Sequence, residues 1–312
     1  MKNTVLISLM LLSSFVSAQK ASPRTNTKTV TIEAGGLSDA LSAKEKQTVT
    51  NLKVVGAIDA RDFKIMRDNM PQLKSLDISR VNIPSYAGEM GTYIEDLSGY
   101  AFGSYDENTT YLENTIPLMA FWGCGNLTFI NLPLSVEIIG DYAFKGCSSL
   151  TSVIIPSSVQ KIGVAAFLDC FYEDENNKPS LIIPSSVTEI GEDAFNGYLL
   201  TKINISSTTK ISKDAFFSCD HLTSIHVYSN NPENLDIDDN FFNHINYTYC
   251  TLYVPIGAKN IYRSTKKWEN FVNIVEENQS NKPVNMVEEY SKPKLEKREQ
   301  IQNKFRTKNI GG

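Results

Sequence analysis

The chain has 312 residues, of which 41% are hydrophobic and 21% charged, and its net charge is −5. That length can bury a substantial core, and the acidic balance excludes a global basic field for nucleic acid. After the first eighteen residues no segment is long and apolar enough to cross a bilayer, which takes about 20 residues.

In chain order, the leader comes first. Lys2 precedes the apolar run at residues 5–12, and Val16-Ser17-Ala18 precedes Gln19. A basic start, a short apolar stretch, Val at −3 and Ala at −1 read as a secretory signal peptide over 1–18. This predicts an exported protein, at the cell surface or secreted, alternatively periplasmic. No cysteine lies near the cleavage site, so a lipid anchor is not expected.

Residues 28–82 read as an N-terminal cap and the first repeats. Leu52-Lys53-Val54 and Leu76-Asp77-Ile78 are strands 24 residues apart. Between them Asp59 is placed to cap a helix that carries Phe63 and Met66 and closes at Asn69. Residues 37–46 form a short capping helix. Residues 83–114 are rich in Tyr among Gly, Asp and Asn, and predict an irregular loop with Tyr100-Ala101-Phe102 as a degenerate repeat.

From 115 to 249 one unit returns. Ala-Phe pairs fall at Phe121, Phe144, Phe167, Phe195 and Phe216, with spacings of 23, 23, 28 and 21 residues. A period in the low twenties marks a solenoid whose turns stack on one another. In the second unit Leu150, Val153 and Ile155 face inward along a short strand, while Ser152 and Ile154 face outward. Pro156 ends the strand, Ser157 and Ser158 bond backbone at the corner, and Val159 and Ile162 return inside. Gly163 is expected to turn the chain through φ > 0. The inward rows align as Ile130, Val153, Leu181, Ile203, Ile225 and Leu132, Ile155, Ile183, Ile205, Val227.

The strings that carry this unit are specific. Residues 154–163 read I-I-P-S-S-V-Q-K-I-G, followed by Ala166-Phe167 and Cys170, and residues 182–191 read I-I-P-S-S-V-T-E-I-G. The pattern closely resembles the BspA-like leucine-rich repeats of surface and secreted proteins from Bacteroides-type bacteria, over roughly half the chain. The third unit departs from it with an acidic insertion near Phe171 to Glu175, and the fourth with Ser206 and Ser212 in place of Pro and Gly. The fold class is therefore an α/β repeat solenoid. It is expected to be a right-handed leucine-rich repeat coil with short strands on one face, helices capping the N-terminus and a helical C-terminal cap. The resemblance implies adhesion to host matrix proteins or to other bacteria, as in some members.

Cys124, Cys147, Cys170 and Cys219 each stand three residues after a repeat Phe, and Cys250 begins the last unit. Equivalent side chains on stacked turns point in parallel, so their Cβ vectors do not converge on a disulfide. Tyr198 takes the same slot in the fourth unit, which marks a position of buried bulk. These cysteines read as buried thiols, with one or two disulfides as the alternative.

Residues 250–277 read as the C-terminal cap, with a strand at 250–255, a helix from Gly257 and closure by Trp268 and Phe271. Trp122 and Trp268 have a second reading as a ligand platform. Residues 278–312 shift in composition: 281–312 hold eight Lys/Arg against four Glu, net +4, leaving −9 for the rest of a chain whose total is −5. This reads as a solvated, flexible tail, with weak contact to an anionic surface as a second reading.

No nucleophile elbow, HExxH, P-loop or GxGxxG motif is present. His221 and His226 read as surface histidines, and the acidic stretch 233–240 lacks the Gly and Glu offsets of a calcium loop. The expectation is no cofactor, no metal and no enzyme. The candidate binding surface is the outward row Phe129, Asn131, Ser152, Ile154, Ser180, Ile182, Lys202, Asn204, Ser224, His226 and Tyr253, with Phe129, Ile154 and Ile182 as an apolar patch. The partner is expected to be a protein or a glycan bound by an adhesin-like surface. An envelope or periplasmic scaffold is the alternative.

Overall fold

The computed structural model describes residues 25–89, 91–93, 110–150, 152–170, 180–197, 200–238, 241 and 245–278. The segment expected to be a signal peptide, Tyr100 to Phe102, the acidic insertion, Tyr198, His244 and the tail beyond Asn278 lie outside the described residues.

A parallel ladder forms the front of the solenoid. Its strands are Thr27–Ile32, Asn51–Ala57, Ser75–Asn82, Phe129–Asn131, Ser152–Ile154 and Ser180–Ile182. A second parallel group follows, with Lys202–Ile205, Ser224–Val227, Thr251–Pro255 and Asn273–Glu277. Ile130 pairs with Val153, Val153 with Leu181, and Ile203 with Ile225, as the aligned inward rows require. The strand Thr27–Ile32, 24 residues before Asn51, is an additional turn at the repeat spacing.

Strands are not confined to one face of the solenoid. The return stretches Thr115–Ile116, Ile138–Ile139, Lys161–Ile162, Glu189–Ile190 and Lys210–Ile211 form their own parallel ladder. Ile116, Ile139, Ile162, Ile190 and Ile211 are buried from that side, so each turn closes over apolar residues from two directions. One connected core runs from Val30 to Ile274. Neighbouring turns supply that burial to one another, the condition under which a solenoid is stable.

The Ala-Phe corners make a third set of contacts. The rings of Phe121, Phe144, Phe167, Phe195 and Phe216 stack in sequence at 5.3, 5.1, 5.4 and 5.3 Å, with planes within 15° of parallel. Phe63 closes one end of the column edge-on at 79°, and Phe241 closes the other at 88°. The backbone steps with the rings: Phe121, Phe144, Phe167 and Phe195 donate their N–H to Ala143, Ala166, Ala194 and Ala215 of the next turn. To hold this, each unit puts the residue two before the Phe in the left-handed region: Met119, Tyr142, Ala165, Asp193 and Asp214, at φ 49° to 56°. The residue two after the Phe is left-handed as well, at Gly123, Gly146, Asp169, Gly197 and Ser218. The inter-turn bonds offset a cost of about 1 kcal/mol or more at each non-glycine position.

Gly163 serves a different purpose from the one expected. It is not among the positive-φ glycines. A Cβ there would lie 2.6 Å from Asp141 N and 2.7 Å from Gly140 C, and Gly191 stands in the same relation to Gly163. Glycine is required because successive backbones nearly touch at this corner.

The five cysteines are free thiols. Cys147, Cys170 and Cys219 each donate Sγ–H to the carbonyl of Phe121, Phe144 and Phe195 on the preceding turn, at 3.1, 2.9 and 3.3 Å. They therefore act as donors between turns as well as small buried groups. Cys124 is only partly buried. Burial pushes the Cys124 and Cys250 thiols up to about 12. Ser158 also bonds between turns, donating Oγ–H to Val136 O at 2.6 Å.

At the N-terminal end, the single helix expected over 37–46 is two, α1 (Leu37–Ala40) and α2 (Ala43–Thr48). Ser42 separates them by forming a reciprocal capping box with Glu45. Helix α3 (Ala60–Asn69) is capped by Asp59 as expected. Its buried Asp62 accepts N–H from Gly35 at 2.6 Å and from Leu37 and Asp59 at 2.9 Å each, which ties α3 to the start of α1. At the other end, helix α4 (Lys259–Ser264) packs its Tyr262 ring edge-on to Trp268 at 5.2 Å. Trp268 is buried among Tyr262 and Phe271, so it serves packing. The segment closes on the strand Asn273–Glu277, which pairs with Thr251–Pro255.

Candidate functional site

Alternation along each front strand sends every second side chain away from the core, and the ladder lines these up into rows. One row is Ser75, Phe129, Ser152 and Ser180, and its neighbour is Asp77, Asn131, Ile154 and Ile182. In the second group the corresponding rows are Lys202, Ser224, Thr251, Asn273 and Asn204, His226, Tyr253, Val275. The expected apolar patch is thus divided: Ile154 and Ile182 are directly paired, and Phe129 lies diagonally from Ile154 in the adjoining row. Phe129, Asn131 and Ile154 are half-buried. The side chains of Ser152, Ser180 and Ile182 lie outside the described residues, so only their register is placed.

On its N-terminal side this surface continues into an ion pair that the expected row does not include. Lys53 Nζ lies 2.7 Å from Asp77 Oδ2, and Ser79 Oγ donates to Asp77 Oδ1 at 2.6 Å. Asn131 Nδ2 reaches the same carboxylate at 3.4 Å, joining the pair to the candidate row. Partial burial raises the Asp77 carboxyl, but the bonds from Lys53 and Ser79 outweigh it and hold the group below its ordinary range. The sequence signal for this pair is the 24-residue spacing of Lys53 and Asp77, which puts them opposite each other across neighbouring strands.

The second group is more crowded. The His226 and Tyr253 rings lie face to face, with centroids 4.3 Å apart and planes 3° from parallel. His226 Nδ1 is 2.8 Å from Glu277 Oε1, two strands away. Burial lowers the His226 pKa, Glu277 opposes this by hydrogen bonding, and Lys202 pushes in the same direction as burial. Asn204 does not present itself as an open outward residue. It is 5% exposed, and the Tyr228 hydroxyl donates to its Oδ1 at 3.4 Å. Tyr228 follows its strand and folds over the neighbouring turn, which strand alternation alone does not reveal. Burial, with Glu277 nearby, pushes the Tyr228 hydroxyl up to about 12. Lys202 and His221 are exposed.

Trp122 is the other candidate for a ligand platform. It is half-buried and stacks on Tyr142 at 5.6 Å, with Lys145 Nζ 4.9 Å above its ring. Tyr86 stacks on Tyr111 at 6.2 Å, where Tyr86–Ala87 pairs antiparallel with Thr110–Tyr111. Tyr86, Tyr93, Trp122 and Tyr142 pack against a small cluster of Ala60, Tyr111, Leu118 and Met119. Among the described residues no group of three or more His, Cys, Asp or Glu is arranged to hold a metal ion, and no helix is long and apolar enough to cross a membrane.

Residues 114–174 and 169–267 match the BspA type leucine rich repeat region, in six copies. A search of curated proteins found no match. Among solved structures, a leucine-rich repeat protein from Bacteroides ovatus is 22% identical, with a TM-score of 0.31, over 49% of this chain and 45% of that one. This chain thus spans under half of that relative. The T. pallidum leucine-rich repeat protein TpLRR is 22% identical over 49% of this chain and 77% of that one, with a TM-score of 0.32. The pneumococcal vaccine antigen PcpA is 16% identical over 81% and 68%, with a TM-score of 0.38. Through residues 114–267, the chain belongs to the BspA-type leucine-rich repeat family.

Proposed function

We propose that this protein is exported and recognises a macromolecular partner, a protein or a glycan, across the front face of its solenoid, as a surface adhesin does. The observation that carries this reading is the half-buried Phe129 and Ile154, diagonal neighbours on the parallel ladder and bordered by Asn131, Ser75 and the Lys53–Asp77 pair. Accessible apolar side chains ringed by satisfied polar groups are the usual composition of a recognition surface. The ladder fixes them in place, so little ordering entropy is lost on binding.

The test is binding of the purified protein to immobilised host matrix proteins, glycans and bacterial cells, with and without the paired changes Phe129→Ser and Ile154→Ser. Loss of binding with an unchanged thermal midpoint supports the reading. Retained binding removes the face from consideration, and loss of folding shows that these side chains serve the core. Protease treatment of intact cells checks the location: digestion places the protein outside, and protection until the cells are opened favours an envelope scaffold.

A further inference from the structure

The outer edge of the front ladder and the outer edge of the second parallel group each end on a charge. In the first strand, Thr27–Ile32, the inward alternation is Lys28, Val30, Ile32. Lys28 stands opposite Leu52, and that column continues through Leu76 and Ile130. A hydrophobic column therefore stops at the edge on a cation. In the last strand, Ile274 pairs with Leu252, and the next inward position, opposite the buried Val254, is Glu276. Here the column stops on an anion.

Both charges are held by their own end of the molecule. Lys28 pairs with Glu45 of α2. Glu276 Oε1 accepts N–H from Gly257 and Lys259 at 3.1 Å each, where α4 begins without a side-chain cap of its own. Beyond each terminal strand no further described strand is paired. Parallel edges of five and six residues, one at each end, form a template on which a second copy can continue the ladder.

In-register continuation would set Asn273 beside Thr27 of the next copy. Ile274 would then meet Lys28, and Glu276 would meet Val30. Each charge would be driven against an apolar side chain, away from its own partner, and burying an unpaired charge is strongly unfavourable. A two-residue slip would bring Lys28 and Glu276 together but would leave only a short overlap between the strands.

We propose that Lys28 and Glu276 are end stops: charges placed in the inward columns so that copies do not join head to tail, which leaves the broad front face as the surface that meets partners. This concerns the ends of the ladder and does not depend on whether Phe129 and Ile154 bind anything.

The experiment measures the mass of the full exported chain by sedimentation over a range of concentrations, with thermal unfolding as a check on folding. The wild type is expected to stay monomeric. Lys28→Val combined with Glu276→Val is expected to form open-ended oligomers whose mean mass at least doubles as concentration rises. Mixing the two single variants should stop at a one-to-one dimer, since each has one open end. If Glu276→Val unfolds, Glu276→Gln keeps the acceptor for α4 and removes the charge, and takes its place in the double variant and in the mixture. Folded variants that remain monomeric, or a wild type that already joins through its ends, overturn the proposal.

Discussion

The ring of Phe144 lies parallel to that of Phe167 one turn further on, with centroids 5.1 Å apart and planes inclined by only 6°. The pair belongs to a five-ring column, so each ring's packing depends on its neighbours being present. The column and the bonds from each Phe N–H to the Ala carbonyl of the next turn advance together. Side-chain and backbone spacing are thus set by one repeat.

Phe167 sits in the middle of that column and is fully buried. Phe167→Ala removes two ring contacts and opens a cavity between turns, with an expected loss of about 3–5 kcal/mol. Urea unfolding checks this. The transition should also broaden, because the repeats on either side lose their coupling. An unbroadened transition with a loss below about 1 kcal/mol would show that the aliphatic rows alone carry the coupling.

Two glycines separate steric from conformational demand. Gly146 is left-handed at φ 73°, and an added Cβ would have no neighbour closer than 3.6 Å, so Gly146→Ala should cost about 1 kcal/mol of backbone strain. Gly163→Ala instead forces a Cβ to within 2.6 Å of the neighbouring backbone and should cost about 3 kcal/mol or prevent folding. Thermal denaturation of the two variants tests the order, and a larger loss for Gly146→Ala contradicts it.

His226 gives a pH dependence of definite sign. Burial, assisted by Lys202 and opposed by Glu277, holds its folded pKa below the ordinary value of 6.5. Between the folded and unfolded pKa values the unfolded chain binds more protons. The contribution of His226 to stability is therefore full above about 6.5 and is lost as pH falls through the folded pKa. Urea midpoints of the wild type and His226→Gln, compared from pH 7.5 down to pH 5, should converge as the pH falls. A difference that widens on acidification means that Glu277 dominates and the histidine is stabilised as a cation.

Much of this architecture is readable from residue order. A period near 23 and the two I-I-P-S-S-V strings determine a solenoid with short strands, and the alternation within each strand determines which side chains form the rows. The Asp59 cap follows from local chemistry of the same kind, whereas the choice between packing and a ligand platform at Trp268 needed its burial against Tyr262 and Phe271. What sequence spacing does not contain is the contact between turns. The third line of backbone bonds depends on ten left-handed residues, and five of them, Met119, Tyr142, Ala165, Asp193 and Asp214, share no residue type that announces it. The close approach at Gly163, the covering of Asn204 by Tyr228 and the reach of Glu277 to His226 also arise only when separate turns are brought together. The sequence determined the unit and its repetition because they are local, periodic properties of the chain. The tertiary structure decided which outward residues remain open, because that depends on side chains from a neighbouring turn.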